Sequence, residues 1–156
     1  MDISAAIAGR RSTREYTKQP LDEQTLLRLI RAATLAPSAM NEQPWTFTVV
    51  QNQDVLGSVS RHAKAHMLAT LSPDAAAGAR AEHFRSMLGD PEFHIFYHAP
   101  ALILISGKAP GPWIAEDCAL AAENLMLMAH ALGLGTCWIG FAQNYLNTSA
   151  GKRQLG

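Results

Sequence analysis

Apolar positions recur at helical spacing in the first part of the chain. Asp2 to Gly9 is predicted to form a short helix, which Gly9 ends by adopting a left-handed conformation. Leu21 to Ala36 is predicted to form a second helix, with Asp22 and Glu23 at its positive dipole end. Its apolar residues share one face that we expect to be buried. They are Leu26, Leu29, Ile30 and Ala33.

Three shorter runs favour strands. Trp45 to Val50 is rich in β-branched and aromatic residues. Ala99 to Ser106 is an apolar run of strand length and predicts a central strand. Gly135 to Phe141 is interpreted as a further strand. The chain is therefore expected to combine helices with a sheet.

Two longer stretches favour helices. From about Asp54 to Glu92 the chain is predicted to be helical, with interruptions near Ser72-Pro73 and Gly89. A long helix is predicted to begin with Asp117 as its cap and to end at Gly133. This helix is apolar nearly all the way round, so it needs cover on most sides. In a chain this small we expect a partner subunit to supply that cover.

Composition narrows the class of protein. The 156 residues suit one domain, and 48% apolar with 17% charged residues is typical of a globular protein. Thirteen basic and thirteen acidic residues give zero net charge, so no basic field favours nucleic acid or an anionic membrane. The N-terminus lacks a signal-peptide pattern, and no apolar run reaches the roughly 18 residues of a membrane span. We therefore expect a cytoplasmic protein.

Four residues near the long helix receive no catalytic role. Cys118 and Cys137 give no disulfide framework, and we interpret them as core thiols. Glu123 and Asn124 interrupt the apolar helix, so their burial would require polar partners. They are expected to anchor a dimer or an inner hydrogen-bond network.

Two histidine pairs have spacing that could bind zinc on a helix. His62 with His66, and His94 with His98, are each four residues apart. No third ligand is evident, so we interpret all four as surface or loop histidines and predict no metal site.

The first candidate binding segment is Arg10-Arg11-Ser12-Thr13-Arg14. Guanidinium groups offer planar forks of donors and hydroxyls add further hydrogen bonds, a combination that suits a phosphate monoester. The alternative is a solvated basic turn.

The second candidate runs from Pro37 to Trp45. Two prolines stiffen a loop that carries Ser, Asn and Gln side chains, which can donate and accept hydrogen bonds at the edge of a heteroaromatic ring. The alternative is a rigid turn between helix and strand, with Trp45 in the core.

The third candidate runs from Gly133 to Gly140. Three glycines within eight residues allow backbone to approach a flat ligand closely. The alternative is a helix end followed by a buried strand. A dinucleotide G-x-G-x-x-G fingerprint is excluded because Trp138 occupies its last glycine position.

In this order and at these separations, the three segments resemble the nitroreductase family. The resemblance runs from Asp2 to about Leu155 and is strongest in RRSTREY, APSAMNEQPWTF and DCALAAENLMLMAHALGLGTCWIGF. It implies an α+β fold, with a mostly antiparallel central sheet and helices on both faces. It also implies one FMN-binding domain over residues 1–156 and a homodimer with FMN at its interface.

The resemblance assigns cofactor-binding residues. Those implied to hold the FMN phosphate and ribityl chain are Arg10, Arg11, Ser12 and Arg14. The loop implied to reach the flavin from the other subunit contributes Pro37, Ser38, Ala39 and Asn41, with Gln43 beside it. The backbone implied to lie along the ring near its reactive N5 is that of Trp138, Ile139 and Gly140.

The implied activity is that of a flavin oxidoreductase. NADH or NADPH would pass hydride to flavin N5, and a nitroaromatic, quinone or similar small acceptor would then take it in a ping-pong cycle. No side chain is assigned as catalytic. Two alternatives stay open. One is an enzyme of the same fold with different flavin chemistry, such as enone reduction, dehalogenation or flavin cleavage. The other is a non-catalytic flavin-binding protein.

Two departures from the family pattern accompany the resemblance. The chain stops before the further strand that family members usually have, so we expect a C-terminal truncation that removes this strand. Ile139 stands where many relatives have an acidic residue, which leaves the backbone amide of Gly140 as the expected contact near N5.

Overall fold

Side-chain caps define the first two helices. In the computed structural model, which describes residues 2–71 and 79–155, helix α1 spans Ile3–Gly9 and helix α2 spans Glu23–Thr34. Asp2 accepts a hydrogen bond from the Ala5 amide at 2.9 Å, and Asp22 accepts one from the Thr25 amide at 2.6 Å. The bond from the Thr25 amide lowers the pKa of the Asp22 carboxyl. Both helix starts agree with the sequence pattern.

The remaining elements alternate helices with two strands. They are β1 (Trp45–Val50), α3 (Gln53–Thr70), α4 (Ala79–Gly89), β2 (Leu102–Gly107), α5 (Ile114–Ala131), α6 (Gln143–Leu146) and α7 (Ser149–Leu155). The break predicted at Gly89 coincides with the end of α4. The break predicted at Ser72-Pro73 lies outside the described residues.

The two strands pair antiparallel, from Trp45 opposite Gly107 to Val50 opposite Leu102. The bounds of β1 agree with the prediction. Strand β2 begins later than predicted, because the Ala99 amide donates to the Phe96 carbonyl in a preceding turn and Pro100 has no amide to donate. Helices and an antiparallel pair of strands together confirm the α+β class.

Contacts divide the chain into two compact units. The first contains Met1–Gln51 and Pro100–Cys137. Within it α2 packs on α5, and α5 also packs on both strands. The core of this unit is formed by buried side chains from α5, β1 and the region of α2. They are Leu29, Ala33, Ala36, Trp45, Ala121, Leu125 and Ala129.

The second unit contains Asn52–Ala99 and Trp138–Gly156. Within it α3 packs against α4, α6 and α7. Lys64 is buried and donates to the carbonyls of Asp90 and Phe93 at 2.7 and 2.6 Å. The Ser60 hydroxyl accepts from the Ile95 amide at 3.1 Å. These bonds tie α3 to the irregular segment that follows α4.

The buried face of α2 differs from the prediction at one residue. Leu26, Leu29 and Ala33 are buried as expected, but Ile30 is only partly buried. Ala32 is buried in addition, because the Asn124 side chain of α5 donates to the Ala32 carbonyl at 3.3 Å and holds that side of α2 against α5.

The prediction that Gly9 ends α1 in a left-handed conformation is wrong. Arg10 follows α1 with extended backbone, φ −55° and ψ 134°. Gly9 lies against the tip of the His130 side chain instead, where a Cβ would lie 2.5 Å from Nε2. Gly133 does adopt the left-handed conformation, with φ +76°, just after the end of α5.

The predicted role of Asp117 as a helix cap is also wrong. Helix α5 begins at Ile114, and Trp113 occupies the N-cap position without a side-chain capping bond. Asp117 lies within the first turn and points its carboxylate at another segment, as described below.

The strand predicted from Gly135 to Phe141 does not form. This stretch contributes one isolated parallel bridge, between Thr136 and Ser12. Its residues have strand-like composition, but among the described residues the bridge to Ser12 is the single strand-like pairing that they make. In the described residues, no helix has the length and apolarity needed to cross a membrane.

Candidate functional site

The arginine segment is fixed in place next to α1. One guanidinium nitrogen of Arg11 donates to the carbonyls of Ala8 and Arg10, at 2.7 and 2.8 Å, which satisfies backbone acceptors at the end of α1. The Thr13 amide donates to the Thr136 carbonyl at 2.8 Å, beside the bridge between Ser12 and Thr136. The backbone of the segment is therefore held while Ser12 stays exposed.

Gly135 permits this arrangement. A Cβ at Gly135 would lie 2.6 Å from the Thr13 hydroxyl oxygen and 2.8 Å from the Thr13 Cβ. Gly9, just before the segment, lies against the tip of the His130 side chain in the last turn of α5. The arginine segment consequently packs at the C-terminal end of α5.

Arg10 faces a carboxylate of α5. Its Nε lies 3.9 Å from Oε1 of Glu123, and both side chains are substantially exposed. An ion pair of this length at the surface contributes little to stability. The pair leaves Arg10 able to exchange Glu123 for an anionic ligand.

The loop after α2 has an unusual backbone. Met40, Asn41 and Gln43 have φ values of 50°, 56° and 48°, in the left-handed region that side chains other than glycine rarely adopt. Ala39–Asn41 forms a short 3₁₀ turn. Three left-handed residues within four positions indicate a conformation imposed by surrounding contacts.

Internal hydrogen bonds hold the polar side chains of this loop. The Ser38 hydroxyl accepts from the Gln43 amide at 2.9 Å. The Gln43 side-chain nitrogen donates to the Asn41 side-chain oxygen at 3.1 Å. The structure thus brings together three predicted binding residues, Ser38, Asn41 and Gln43, and the side-chain amides of Asn41 and Gln43 orient each other.

Two residues that sequence reasoning missed fasten the loop at its ends. Oδ1 of Asp117, which is 4% exposed, accepts from the Ala39 amide at 3.0 Å. The backbone amide of Lys108 donates to the Pro44 carbonyl at 2.8 Å, and the side-chain Nζ of Lys108 lies 3.5 Å from the Gln43 carbonyl oxygen. In the sequence, Asp117 stands out as an acid within an apolar helix. An acid near the start of such a helix also resembles an N-terminal cap, so its contact with the loop was not predicted.

An open concavity of about 750 Å³ lies beside the loop. Amide, hydroxyl and aromatic groups line it together with one cation and one acid. The lining residues are Ile30, Thr34, Asn41, Glu42, Gln43, Trp45, Thr46, Phe47 and Lys108. Hydrogen-bonding groups beside an apolar wall can receive a planar heteroaromatic ligand.

The two candidate segments contact α5 at different points. The loop is fastened to Asp117 in the first turn. Arg10 reaches Glu123 in the middle of the helix, and Gly9, just before the arginine segment, lies against His130 in the last turn. Within one chain, the predicted phosphate-binding and ring-binding residues therefore contact separate turns of one helix.

The third candidate segment runs from Gly133 to Gly140, and its last residues, Trp138 to Gly140, belong to the second unit. Trp138 is 57% exposed, and a Cβ at Gly140 would meet no atom within 4 Å. The backbone there is open to approach, and its predicted place along a flavin ring stays a prediction.

The cysteines and histidines show no reactive arrangement. Both cysteines are partly buried, and burial followed by the charge of Asp117 raises the pKa of the Cys118 thiol. The rings of His94 and His98 are tilted to each other with centroids 4.4 Å apart, while His62 stacks on Tyr145 at 5.8 Å. Within residues 2–71 and 79–155, no group of three His, Cys, Asp or Glu side chains could hold a metal ion.

Comparisons with known proteins all identify relatives from one family. The model of the nitroreductase family matches residues 7–153. A Methanothermobacter thermautotrophicus protein assigned as an NADH dehydrogenase/NAD(P)H nitroreductase is 31% identical, and the match covers 90% of this chain and 61% of that protein. An Archaeoglobus fulgidus protein with the same assignment is 32% identical over 96% of this chain and 74% of its own length. The chain therefore spans less than two thirds of the first of these relatives.

A solved structure has the same fold. The crystal structure of a Bacteroides fragilis nitroreductase with bound FMN superposes with a TM-score of 0.84 at 28% identity. The match covers 99% of this chain and 78% of that one.

Proposed function

Because this chain belongs to the nitroreductase family, we propose that it is a cytoplasmic FMN-dependent oxidoreductase that uses NADH or NADPH to reduce small acceptors such as quinones and nitroaromatics. The observation that carries the proposal is the loop of residues 37–43. Its backbone is strained and fastened at both ends, and it presents an oriented amide pair at an open concavity.

The residues present fit FMN. Ser12 is exposed among three arginines on a backbone that Gly135 allows to pack closely, which suits a phosphate. Asn41 and Gln43 provide donors and acceptors that suit the edge of the flavin pyrimidine. Bound FMN would supply the hydride chemistry, which no side chain of the protein can provide.

We propose that each FMN site combines residues of two protomers. The support is the large apolar side chains that helices α1 and α5 expose, including Ile3, Ile7 and Leu120. A homodimer would cover such surface and bring the arginine segment of one protomer to the loop of the other.

The side chains of the protein would bind FMN and orient it. Arg10, Arg11, Ser12 and Arg14 would hold the phosphate and ribityl chain. Ser38, Asn41 and Gln43 would fix the ring, with Pro37 and Ala39 shaping the loop. Trp138, Ile139 and Gly140 are the predicted backbone neighbours of the ring. No side chain is assigned to proton transfer, so solvent would supply protons.

Steady-state kinetics test this proposal. FMN-reconstituted protein is assayed with NADH and with NADPH against a quinone and a nitroaromatic at several fixed concentrations. Parallel double-reciprocal lines are expected, because both substrates would occupy one open site in turn. FMN binding with no turnover of any acceptor would contradict the proposal and favour a non-catalytic flavin-binding protein. Turnover confined to an enone or a halogenated aromatic would overturn the proposed acceptor class.

A further inference from the structure

The loop of residues 37–43 needs support from outside itself. Left-handed backbone at Met40, Asn41 and Gln43 is unfavourable for each of these residues. Met40 is 93% exposed, so no packing of its side chain compensates. The contacts that hold the loop must therefore act on its backbone.

Asp117 supplies such a contact from a rigid element. Its carboxylate accepts from the amide of Ala39, where the 3₁₀ turn begins, across a sequence separation of 78 residues. A carboxylate accepts a hydrogen bond more strongly than a neutral oxygen does. The bond fixes the point at which the chain enters the left-handed residues.

Burying the Asp117 carboxylate costs free energy, which the hydrogen bond to the loop can offset. The residue is buried, and a buried carboxylate loses its hydration. Its place in the first turn of α5 partly offsets that loss, because the positive end of the helix dipole favours a negative charge there. The carboxylate does not cap the N-terminus of α5. Its hydrogen bond to the Ala39 amide therefore stabilises the loop.

We infer that Asp117 is a positioning residue, which holds residues 38–43 in the conformation that binds the flavin ring without touching the ring itself. The inference rests on the proposed function. It adds a residue of α5 to the parts that determine FMN affinity, and it makes that affinity depend on the hydrogen bond between Asp117 and the Ala39 amide.

The first test needs no cofactor. Hydrogen exchange is measured on FMN-free parent protein, Asp117→Ala, Asp117→Asn and the control Glu116→Gln, whose side chain is exposed in the same turn of α5. In Asp117→Ala, exchange should accelerate in peptides covering residues 38–43 and stay unchanged in the middle of α5. Asp117→Asn keeps an acceptor oxygen and should show a smaller effect. Uniform acceleration across the chain, or none in the loop, would overturn the inference.

The second test measures FMN affinity by quenching of flavin fluorescence. Asp117→Ala should weaken binding about tenfold or more, the range expected for loss of a hydrogen bond to a charged acceptor. Asp117→Asn keeps only a neutral, weaker acceptor and should bind FMN with an affinity between those of the parent and Asp117→Ala, and Glu116→Gln should bind as the parent does. If Asp117→Ala does not fold, the ratio between Asp117→Asn and the parent decides, and a ratio of one contradicts the inference. Failure of the parent to bind FMN would instead contradict the proposed function.

Discussion

At the scale of single residues, close approaches of backbone shape the site as much as polar side chains do. The backbone of Gly135 lies so close to Thr13 that a side chain at position 135 would overlap with it. Gly135 does not adopt a left-handed conformation. Its role is steric, and it allows the arginine segment to pack beside the end of α5.

Replacing Gly135 by alanine should therefore destabilise the protein by about 1–3 kcal/mol, as overpacking in a close contact does. FMN affinity should fall as well, because Ser12 and Arg14 flank Thr13. Urea unfolding and fluorescence quenching measure the two effects.

The matched control is Gly89→Ala, since a Cβ there meets no atom within 4 Å. Its effect on stability should stay within about 0.5 kcal/mol. The double variant Thr13→Gly/Gly135→Ala should show favourable coupling in a double-mutant cycle. Equal effects of the two alanine substitutions would contradict the steric explanation.

At the scale of elements, the sequence pattern predicted those helix and strand positions that depend on contacts between residues close together in the chain. The start of α2 was predictable because Asp22 caps it within four residues, and β1 because its β-branched and aromatic composition suits a strand. Long-range partners were not predictable. The stretch after Gly135 has strand composition but finds one bridging residue, and Asp117 bonds to an amide 78 residues away.

The same limit applies to the candidate site. Its predicted binding residues were assigned by their resemblance to a family motif, whereas the residues that fasten that motif could not be predicted from the sequence. Lys108 carries no motif, and its bonds to residues 43 and 44 depend on the register between β1 and β2. Supporting residues of this kind emerge only from the fold.

The segment between α4 and β2 should respond to acid. Nδ1 of His94 accepts from the amides of Phe96 and His98 at 3.3 and 3.4 Å. Burial, followed by the charges of His98, Lys64 and Arg61, lowers the pKa of His94 from 6.5 to about 4. Between these values the unfolded chain binds a proton at His94 that the folded chain does not, so stability should fall as pH falls through this window.

The variant His94→Asn should flatten that dependence, because it keeps an acceptor oxygen but does not titrate. The flattening should amount to about 1–2 kcal/mol between pH 6.5 and 4, after allowance for solvent screening of a partly exposed ring. Unfolding by urea at several pH values measures it. His83→Gln, at an exposed histidine of α4, is the control and should retain the parental slope. A parental slope in His94→Asn would show that His94 is not the responsible group.

At the scale of the whole molecule, a composite site predicts complementation between defective protomers. Arg11→Gln impairs the proposed phosphate contact, and Asn41→Gly removes an amide while tolerating the left-handed backbone. Each homodimer should bind FMN poorly. A heterodimer isolated with two different tags should regain one site of parental affinity, formed by the two unaltered segments.

Isothermal titration of the heterodimer with FMN counts that site. A stoichiometry of one tight site per heterodimer is expected. Weak binding equal to that of either homodimer, or a monomeric parent that binds FMN tightly, would show that one chain forms the site alone.

The central claim is that the protein carries electrons through FMN from a nicotinamide to a small acceptor. Its most direct test is an anaerobic absorbance titration of the FMN-reconstituted protein, first with NADH or NADPH and then with a quinone or nitroaromatic. The visible flavin band should bleach on addition of one nicotinamide and return on addition of the acceptor. Failure to retain FMN in the presence of excess cofactor, or a band that neither nicotinamide bleaches, would contradict the claim.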